Sequence, residues 1–267
     1  VNYGNKLLTK VAKNILTQLS LGIQLASSAL RSALQILYPP RCSLCGNMVE
    51  SDFGLCGPCW RDTPLISGLC CDICGANLPG DDTGHAERCD DCLKITRPWS
   101  RGRAALIYSG NARRLVLSLK HGDRHDIVPL ASKWMAQAAK PILQTDALIA
   151  PVPLHWTRLL TRRFNQAALL SQAVAERIGL ASCPDLLERR RKTPTLKKMT
   201  YDQRFDALDG AITVHKGRKH RLVNRSVILV DDVMTSGATL SAAAQACLHA
   251  GAKDVNVLLL ARAQKDA

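Results

Sequence analysis

The chain has 267 residues, of which 46% are hydrophobic, so it can form one globular body and one small additional module. Lysine and arginine exceed aspartate and glutamate by 36 − 22 = 14 charges, which predicts anionic partners, nucleic acid first, or else a basic bias that only serves solubility. Aromatic residues make up only 4%, which argues against binding of single strands mainly by base stacking and favours contacts with phosphates.

Residues 6–37 have the pattern of an amphipathic helix. Apolar residues keep helical spacing, with Lys6, Lys10 and Lys13 towards another side, so we assign 1–38 to an N-terminal helix. Glutamines, serines and an arginine interrupt the segment too often for a membrane span. The early lysines also fit a secretory signal, but reduced cysteines in the next segment favour the cytoplasm.

Four C-x2-C knuckles follow within about fifty residues. Their cysteines are Cys42, Cys45, Cys56, Cys59, Cys71, Cys74, Cys89 and Cys92. Two knuckles supply four thiolates, so the spacing predicts two structural Zn²⁺ sites that are closed to catalysis. The order of pairing, sequential or interleaved, stays open, and Cys70 could replace Cys71. Disulfides are the alternative, which an odd cysteine count disfavours.

The module at 39–98 has too few apolar residues for a core of its own, so zinc binding would have to fold it. Strands alternating with helices in 99–267 are typical of a parallel α/β sheet. The predicted strands are 104–108, 146–151, 226–231 and 255–260, and the predicted helices are 112–120, 130–143, 164–178 and 240–250. Segment 186–214 is irregular and basic, which fits a long hairpin or a flexible arm.

Basic residues form runs that we expect to bind the phosphates of single-stranded DNA without sequence readout. The main runs contain Arg189, Arg190, Arg191, Lys192, Lys197 and Lys198, and then Lys216, Arg218, Lys219 and Arg221. A third group, Arg158, Arg162 and Arg163, lies earlier in the chain.

Segment 227–240 combines a strand, two acids and a hydroxyl-rich loop. The apolar strand places Asp231 and Asp232 at its carboxyl end, where open α/β sheets bind ligands. The loop residues are Thr235, Ser236, Gly237, Ala238 and Thr239, and an alanine-rich helix follows. Hydroxyls, backbone N–H groups and a helix N-terminus favour a phosphate. The carboxylates would hold a ribose diol, directly or through Mg²⁺.

Other interpretations of this segment are weaker. The chain lacks the G-x-x-x-x-G-K-[ST] pattern of Walker NTPases and the G-x-G-x-x-G pattern of dinucleotide folds. A plain strand–turn–helix with a polar tip is the remaining alternative.

Segment 227–240 resembles the signature of type I phosphoribosyltransferases that binds 5-phosphoribosyl 1-pyrophosphate (PRPP). Together with the knuckles, it makes the chain similar to the ComF/GntX competence-protein family from about residue 34 onwards, with supporting stretches at 38–42, 151–154 and 162–166. Some positions depart from the family pattern. The family usually has Gly at Arg163, and often Gln near Leu196, Asn near Ala207 and Phe near Ile212.

The resemblance implies an α/β, parallel-sheet type I phosphoribosyltransferase-like domain preceded by a small zinc-ribbon module and an N-terminal helix. It also implies that Asp231 and Asp232 hold the ribose hydroxyls of PRPP and that 235–239 hold its 5-phosphate. Arg158 or Arg162 would reach the pyrophosphate near 151–154. In a catalysed reaction, pyrophosphate would leave C1 through an oxocarbenium-like state stabilised by Mg²⁺ and cationic side chains.

Three functions stay open at this point. The first is a PRPP-dependent transferase with an unidentified base or amine acceptor, and the second is a DNA-uptake factor whose pocket grips nucleotide or DNA phosphates. The third is a PRPP-sensing regulator with a zinc docking module. We expect a cytoplasmic protein that binds PRPP or a nucleotide, handles single-stranded DNA in natural transformation and contacts proteins of the DNA-uptake machinery.

Overall fold

The computed structural model describes residues 38–82, 84–121, 124–155, 157, 159, 163–191, 203, 205, 207–208 and 210–264. The predicted N-terminal helix lies outside the described residues, as do Arg158, Arg162, Lys192, Lys197 and Lys198. Among the described residues, no helix combines the length and the apolar character that crossing a bilayer requires.

Short helices in the cysteine-rich region precede a body of alternating helices and strands. The α-helices are α1 (Gly57–Arg61), α2 (Asp90–Lys94), α3 (Gly110–His121), α4 (Ile127–Ala139), α5 (Gln166–Ile178) and α6 (Ala238–His249). Among the described residues, 3₁₀ helices occupy Lys140–Ile142 and Lys216–Arg221. The strands are β1 (Arg101–Ile107), β2 (Leu148–Pro151), β3 (Ala181–Ser182), β4 (Leu187–Arg189), β5 (Ile212–Val214), β6 (Ser226–Met234) and β7 (Asp254–Arg262).

Five strands form one parallel sheet in the order β1-β7-β6-β2-β3, which confirms the predicted α/β class. The central strand β6 pairs with β2 only as far as Val230, opposite Pro151. On its other side, β6 pairs with β7 as far as Met234. The strand is therefore longer than the predicted 226–231, and Asp231 and Asp232 lie where it extends past β2.

The sheet is covered on both faces. Val227 and Leu229 of β6 belong to a core that includes α6 and several cysteines of the knuckles, whereas Ile228 and Val230 belong to a core formed with α3, α4 and α5. Burial on both faces explains why the strand is apolar at every position before the acids.

The helices of the body match the predictions in type and place, with shifted ends. The predicted helix 130–143 ends earlier, at Ala139, because Pro141 lacks an N–H group and a 3₁₀ turn follows. Asn165 caps α5 by accepting a hydrogen bond from the backbone N–H of Ala167 at 3.1 Å. The two ends of segment 186–214 form the antiparallel pair β4–β5.

Candidate functional site at the sheet edge

The eight predicted zinc ligands form two clusters. In each cluster the four sulfur atoms lie within 4.8 Å of one another; the clusters are Cys42, Cys45, Cys56 and Cys59 (the first ribbon), and Cys71, Cys74, Cys89 and Cys92 (the second ribbon). Pairing of the knuckles is therefore sequential, and Cys71 rather than Cys70 is the ligand. Sulfur atoms of neighbouring knuckles are 3.5 Å apart, too far for a disulfide and suited to a shared ion. Four thiolates are the ligand set of structural Zn²⁺.

The second ribbon packs directly onto β1. A Cβ on Gly75 would lie 2.6 Å from the backbone N of Ala104, and one on Gly102 would lie 2.4 Å from the carbonyl oxygen of Ile73. Trp99 donates a hydrogen bond from its indole Nε1 to the same carbonyl at 2.6 Å. Only glycine allows two backbones to approach so closely, so this contact is specified by the sequence.

An ion cluster reinforces that contact. Asp72 accepts hydrogen bonds from the guanidinium groups of Arg101 at 2.8 Å and Arg103 at 2.5 Å. Burial of the carboxyl opposes ionisation, but these two arginines outweigh it, so the pKa of Asp72 is lowered. Asp72, which lies between the first two cysteines of the second ribbon, thus joins the ribbon to β1.

The acidic pair lies at the carboxyl edge of the sheet, as predicted. Asp232 is buried and Asp231 is partly buried, and the backbone N–H of Asp232 donates to Oδ1 of Asp231 at 2.8 Å. Burial, and then the neighbouring charge of Asp232, raise the pKa of Asp231 to about 7. Lys120, at the end of α3, places its Nζ 2.9 Å from Oδ1 of Asp232.

The predicted phosphate loop adjoins the acidic pair. Asp231 and the loop residues line a small cavity of about 50 Å³; the loop members of this lining are Thr235, Ser236, Gly237, Ala238 and Thr239. Gly237 has a φ of 83° and is the N-cap of α6, so the loop leads directly into a helix N-terminus. Six of the seven residues of the predicted ribose-phosphate site line this cavity, Asp232 is the neighbour of Asp231 on β6, and the binding roles of all seven stay a prediction.

Two arginines donate hydrogen bonds to backbone carbonyl oxygens of this loop, and neither contact was predicted from the sequence. Arg97, just after the second ribbon, donates from Nη1 to the carbonyl oxygen of Ser236 at 2.7 Å. Arg262, at the end of β7, donates from Nη1 to the carbonyl oxygen of Thr235 at 3.0 Å, and its Nη2 lies 4.0 Å from Asp91 of the second ribbon.

The segment predicted to lie near the pyrophosphate continues from β2. The backbone N–H of Val152 donates to the carbonyl oxygen of Val230 at 2.9 Å, which places 151–154 beside the start of the acidic pair. The side chain of Asn165 donates to the carbonyl oxygen of Val152 at 3.1 Å, so it supports this segment as well as capping α5. Arg163 has a φ of 66°, a left-handed conformation that glycine adopts without strain.

The predicted DNA-binding runs need one correction. Arg189 is buried, and its charge acts to lower the pKa of Asp231, so its side chain does not belong to an exposed basic surface. Arg190 pairs with Glu188 at 3.2 Å, and Arg218 pairs with Asp185 at 2.8 Å. Arg191, Lys216 and Lys219 are exposed and Arg221 is partly exposed.

Comparisons with known proteins bear on both parts of the chain. The profile of the family described as "Double zinc ribbon domain" matches residues 33–93. "DNA utilization protein YhgH" of Salmonella typhi is 31% identical over 234 residues, which cover 85% of this chain and 99% of that protein. "Competence protein F" of Haemophilus influenzae is 28% identical over 84% of this chain and 97% of that protein. "Competence protein ComFC" of Bacillus subtilis is 27% identical over 76% and 82%, respectively.

Solved structures resemble the chain only distantly. The allosteric regulatory enzyme of purine biosynthesis has a TM-score of 0.35 and 18% identity, covering 51% of this chain and 26% of that chain. The adenine phosphoribosyltransferase of Thermoanaerobacter pseudethanolicus has a TM-score of 0.31 and 16% identity, covering 53% and 83%. Likenesses at this level carry no argument, whereas a relative 31% identical over 85% of the chain does. The chain therefore belongs to the ComF family of competence and DNA utilization proteins.

Proposed function

We propose that this chain binds PRPP in the pocket formed by the acidic pair and the phosphate loop, and that it serves the uptake and handling of single-stranded DNA. The observation that supports this most strongly is that Asp231 and the loop residues line one cavity, with Asp232 beside Asp231 on β6, in a member of the ComF family. A ribose 5-phosphate unit presents one phosphate and a vicinal diol, which match these two halves of the pocket.

Different residues of the pocket would contact different parts of the ligand. Backbone N–H groups and hydroxyls of 235–239 would hold the 5-phosphate at the start of α6, and Arg97 and Arg262 would keep the loop carbonyls turned away from it. Asp231 and Asp232 would accept hydrogen bonds from the ribose hydroxyls. Their oxygen atoms also suit Mg²⁺, which would offset phosphate charge. Arg158 and Arg162, outside the described residues, are proposed to contact the pyrophosphate.

A binding experiment tests this pocket. Titration calorimetry with PRPP and Mg²⁺ should give saturable binding to the wild type, and the variant Asp231→Asn/Asp232→Asn should bind at least about thirtyfold more weakly, because hydrogen bonds to charged groups contribute about 1.5–3 kcal/mol each. The matched control is Asp81→Asn/Asp82→Asn, a second adjacent aspartate pair in an exposed loop. Equal affinities of the two double variants would refute the proposed pocket.

Turnover is a separate question from binding. Pyrophosphate release from PRPP, measured with a panel of nucleobases and amines, should exceed that of Asp231→Asn/Asp232→Asn if the chain is a transferase. Binding without any such release would leave PRPP as a regulatory ligand and remove the transferase hypothesis for the acceptors tested.

The DNA role is supported by the charge of the chain and by the names of its relatives, which refer to competence and DNA utilization. We expect affinity for single-stranded DNA to fall steeply with salt, with a slope of roughly −0.7 in log–log form for each phosphate contacted. Lys216→Ala/Lys219→Ala should remove one or two phosphate contacts and so reduce the magnitude of this slope by roughly 0.7–1.4. The control Lys133→Ala/Lys140→Ala changes two exposed lysines elsewhere and should leave the slope unchanged. A wild-type affinity that does not respond to salt would refute electrostatic DNA binding.

A further inference from the structure

Lys120 brings a positive charge to the acidic pair from a distant part of the chain. Its Nζ lies 2.9 Å from Oδ1 of Asp232, and the two side chains are only 20% and 10% exposed. Lys120 is in the last turn of α3, which follows β1, whereas Asp232 lies on β6, two places away in the sheet. Because neighbouring strands are about 4.8 Å apart, the last turn of α3 lies roughly two strand spacings from β1 to make this contact.

Simpler explanations account for only part of this arrangement. A lysine in the last turn of a helix interacts favourably with the helix dipole. That interaction does not require a partner on β6, so it does not explain the contact with Asp232. Surface ion pairs add little stability, and largely buried pairs lose much of their attraction to desolvation. The contact is therefore poorly explained by stability alone.

The electrostatics of the site give the contact a clearer role. Two adjacent carboxylates repel each other and would also repel a phosphorylated sugar. Burial and the charge of Asp232 raise the pKa of Asp231, and the charge of Lys120 acts in the opposite direction. Lys120 thus offsets negative charge at the sheet edge and restrains the carboxylate that it contacts.

We propose that Lys120 is a positioning residue that holds the Asp232 carboxylate in the orientation that accepts hydrogen bonds from ribose hydroxyl groups. This assignment rests on the proposed function, since it concerns the ribose half of the same pocket. It predicts a selective defect: loss of the ammonium group weakens binding of phosphates that carry a diol, and has little effect on phosphates that do not.

The test compares ribose 5-phosphate with propyl phosphate, which lacks the diol, by calorimetry on the full chain with Mg²⁺. Lys120→Met should weaken ribose 5-phosphate binding at least tenfold and propyl phosphate binding less than threefold. Lys120→Arg should restore ribose 5-phosphate affinity to within about threefold of the wild type, because it keeps a charged donor. Lys133→Met, at an exposed lysine on α4, should match the wild type.

A double-mutant cycle identifies the carboxylate through which Lys120 acts. If it acts through Asp232, the double variant Lys120→Met/Asp232→Asn should bind ribose 5-phosphate no more weakly than Asp232→Asn alone. Additive losses, or equal losses for both ligands in Lys120→Met, would overturn the positioning role. If Lys120→Met melts well below the wild type, the same cycle with Lys120→Gln gives the answer.

Two outcomes distinguish this inference from the proposed function. If the wild type binds PRPP and Lys120→Met binds ribose 5-phosphate as tightly as the wild type does, this inference alone is refuted. If the wild type binds neither ligand, the proposed function is refuted.

Discussion

The two zinc ribbons use the same ligand chemistry but occupy very different surroundings. In the first ribbon Cys45 is exposed, and Met48, Phe53 and Trp60 also present large apolar surfaces to solvent. In the second ribbon Cys71 and Cys74 are fully buried in the core that also contains residues of β6 and α6. Identical knuckles therefore form a peripheral unit in one case and part of the body's core in the other.

The neighbours of each ribbon differ in the same way. The first ribbon contacts the outer helices, for example through the hydrogen bond from Nδ2 of Asn111 to the carbonyl oxygen of Cys59 at 3.2 Å. The second ribbon adjoins the candidate site, because Arg97 follows it directly and Arg262 approaches Asp91. We infer that zinc in the second ribbon supports the phosphate loop, whereas zinc in the first ribbon supports only its own surroundings.

Removing one ligand from each ribbon should separate them most strongly. Cys74→Ser leaves an incomplete metal site inside the core, so we expect it to lower the free energy of unfolding by more than about 4 kcal/mol or to prevent folding. Cys45→Ser, the corresponding residue of the first ribbon, should lose its zinc yet lower the free energy of unfolding of the body by only about 1–2 kcal/mol. Thermal denaturation and zinc content per chain measure both effects.

Ribose 5-phosphate binding provides the control for this pair. Cys45→Ser should retain the affinity of the wild type, since the first ribbon does not contact the loop in the part of the chain that the structure describes. Similar destabilisation by both substitutions would show that the ribbons are equally integral and would contradict the comparison.

A matched pair of glycines tests the packing without touching a ligand. Gly46 and Gly75 each follow the first knuckle of their ribbon, with φ values of 78° and 68°. A Cβ on Gly46 would meet nothing within 4 Å, whereas one on Gly75 would lie 2.6 Å from the backbone N of Ala104. Gly46→Ala should cost about 1 kcal/mol from its left-handed backbone, and Gly75→Ala about 3 kcal/mol, because the clash adds to that cost.

Chemical denaturation of the two variants measures this difference. A cost for Gly75→Ala no larger than that for Gly46→Ala would mean that the second ribbon can move away from β1 with little loss. In that case the close packing of the second ribbon could not be what supports the phosphate loop.

These pairs also show what the sequence could and could not reveal. Knuckle spacing and the strand–acid–loop pattern are local, so sequence alone predicted the two cysteine clusters and the proximity of Asp231 to residues 235–239. The difference between the ribbons was not visible, because Gly46 and Gly75 occur in the same local pattern and only contacts with distant residues distinguish them. Arg189 was misassigned for the same reason, since a basic run gives no sign of which member is buried.

The supporting residues of the site were also missed because their partners are far away in sequence. Arg97 contacts a residue 139 positions away, and Lys120 occupies the last turn of a helix, where a lysine needs no functional reason. Arg262 is the last residue of β7, and the apolar pattern that predicted this strand says nothing about the role of the arginine at its end. Only the sheet order brings these charges to one edge.

Replacing Arg97 should have a smaller effect than replacing the core residues of the second ribbon, and the effect should be on ligand affinity. Arg97→Met removes the hydrogen bond to the carbonyl oxygen of Ser236, so we expect about tenfold weaker ribose 5-phosphate binding, equivalent to about 1.4 kcal/mol. Arg61→Met changes an exposed arginine at the end of α1 in the first ribbon and should leave the affinity unchanged. Calorimetry on both variants would contradict the proposed support of the loop if they bound equally well.

The acid of the pocket and the acid of the second ribbon have opposite pKa shifts. Asp72 is stabilised in its charged form by arginines, whereas the pKa of Asp231 is raised to about 7. A pKa raised to about 7 means that the folded protein binds a proton at Asp231 more tightly than the unfolded chain does, so the contribution of Asp231 to stability should fall as pH rises from about 4 to 7 and then level off. Asp231→Asn has no such charge, so its advantage in unfolding free energy should grow by about 1 kcal/mol between pH 6 and pH 8. Denaturation at both values that gave a constant difference would contradict the raised pKa.

Arg163 should give the smallest effect, and its replacement by glycine should stabilise the chain, unlike the substitutions in the two ribbons. The ribbons use glycine for their left-handed turns at Gly46 and Gly75, but at position 163 an arginine has a φ of 66°. Arg163→Gly should raise the free energy of unfolding by about 0.5 kcal/mol, because relief of the left-handed strain slightly exceeds the added entropy of the unfolded chain. Arg113→Gly, at an exposed position within α3, should instead lower it by about 1 kcal/mol, because glycine disfavours a helix. Destabilisation by both substitutions would mean that contacts of the Arg163 side chain compensate for its backbone, and that a left-handed turn beside the pocket does not need the glycine on which both ribbons rely.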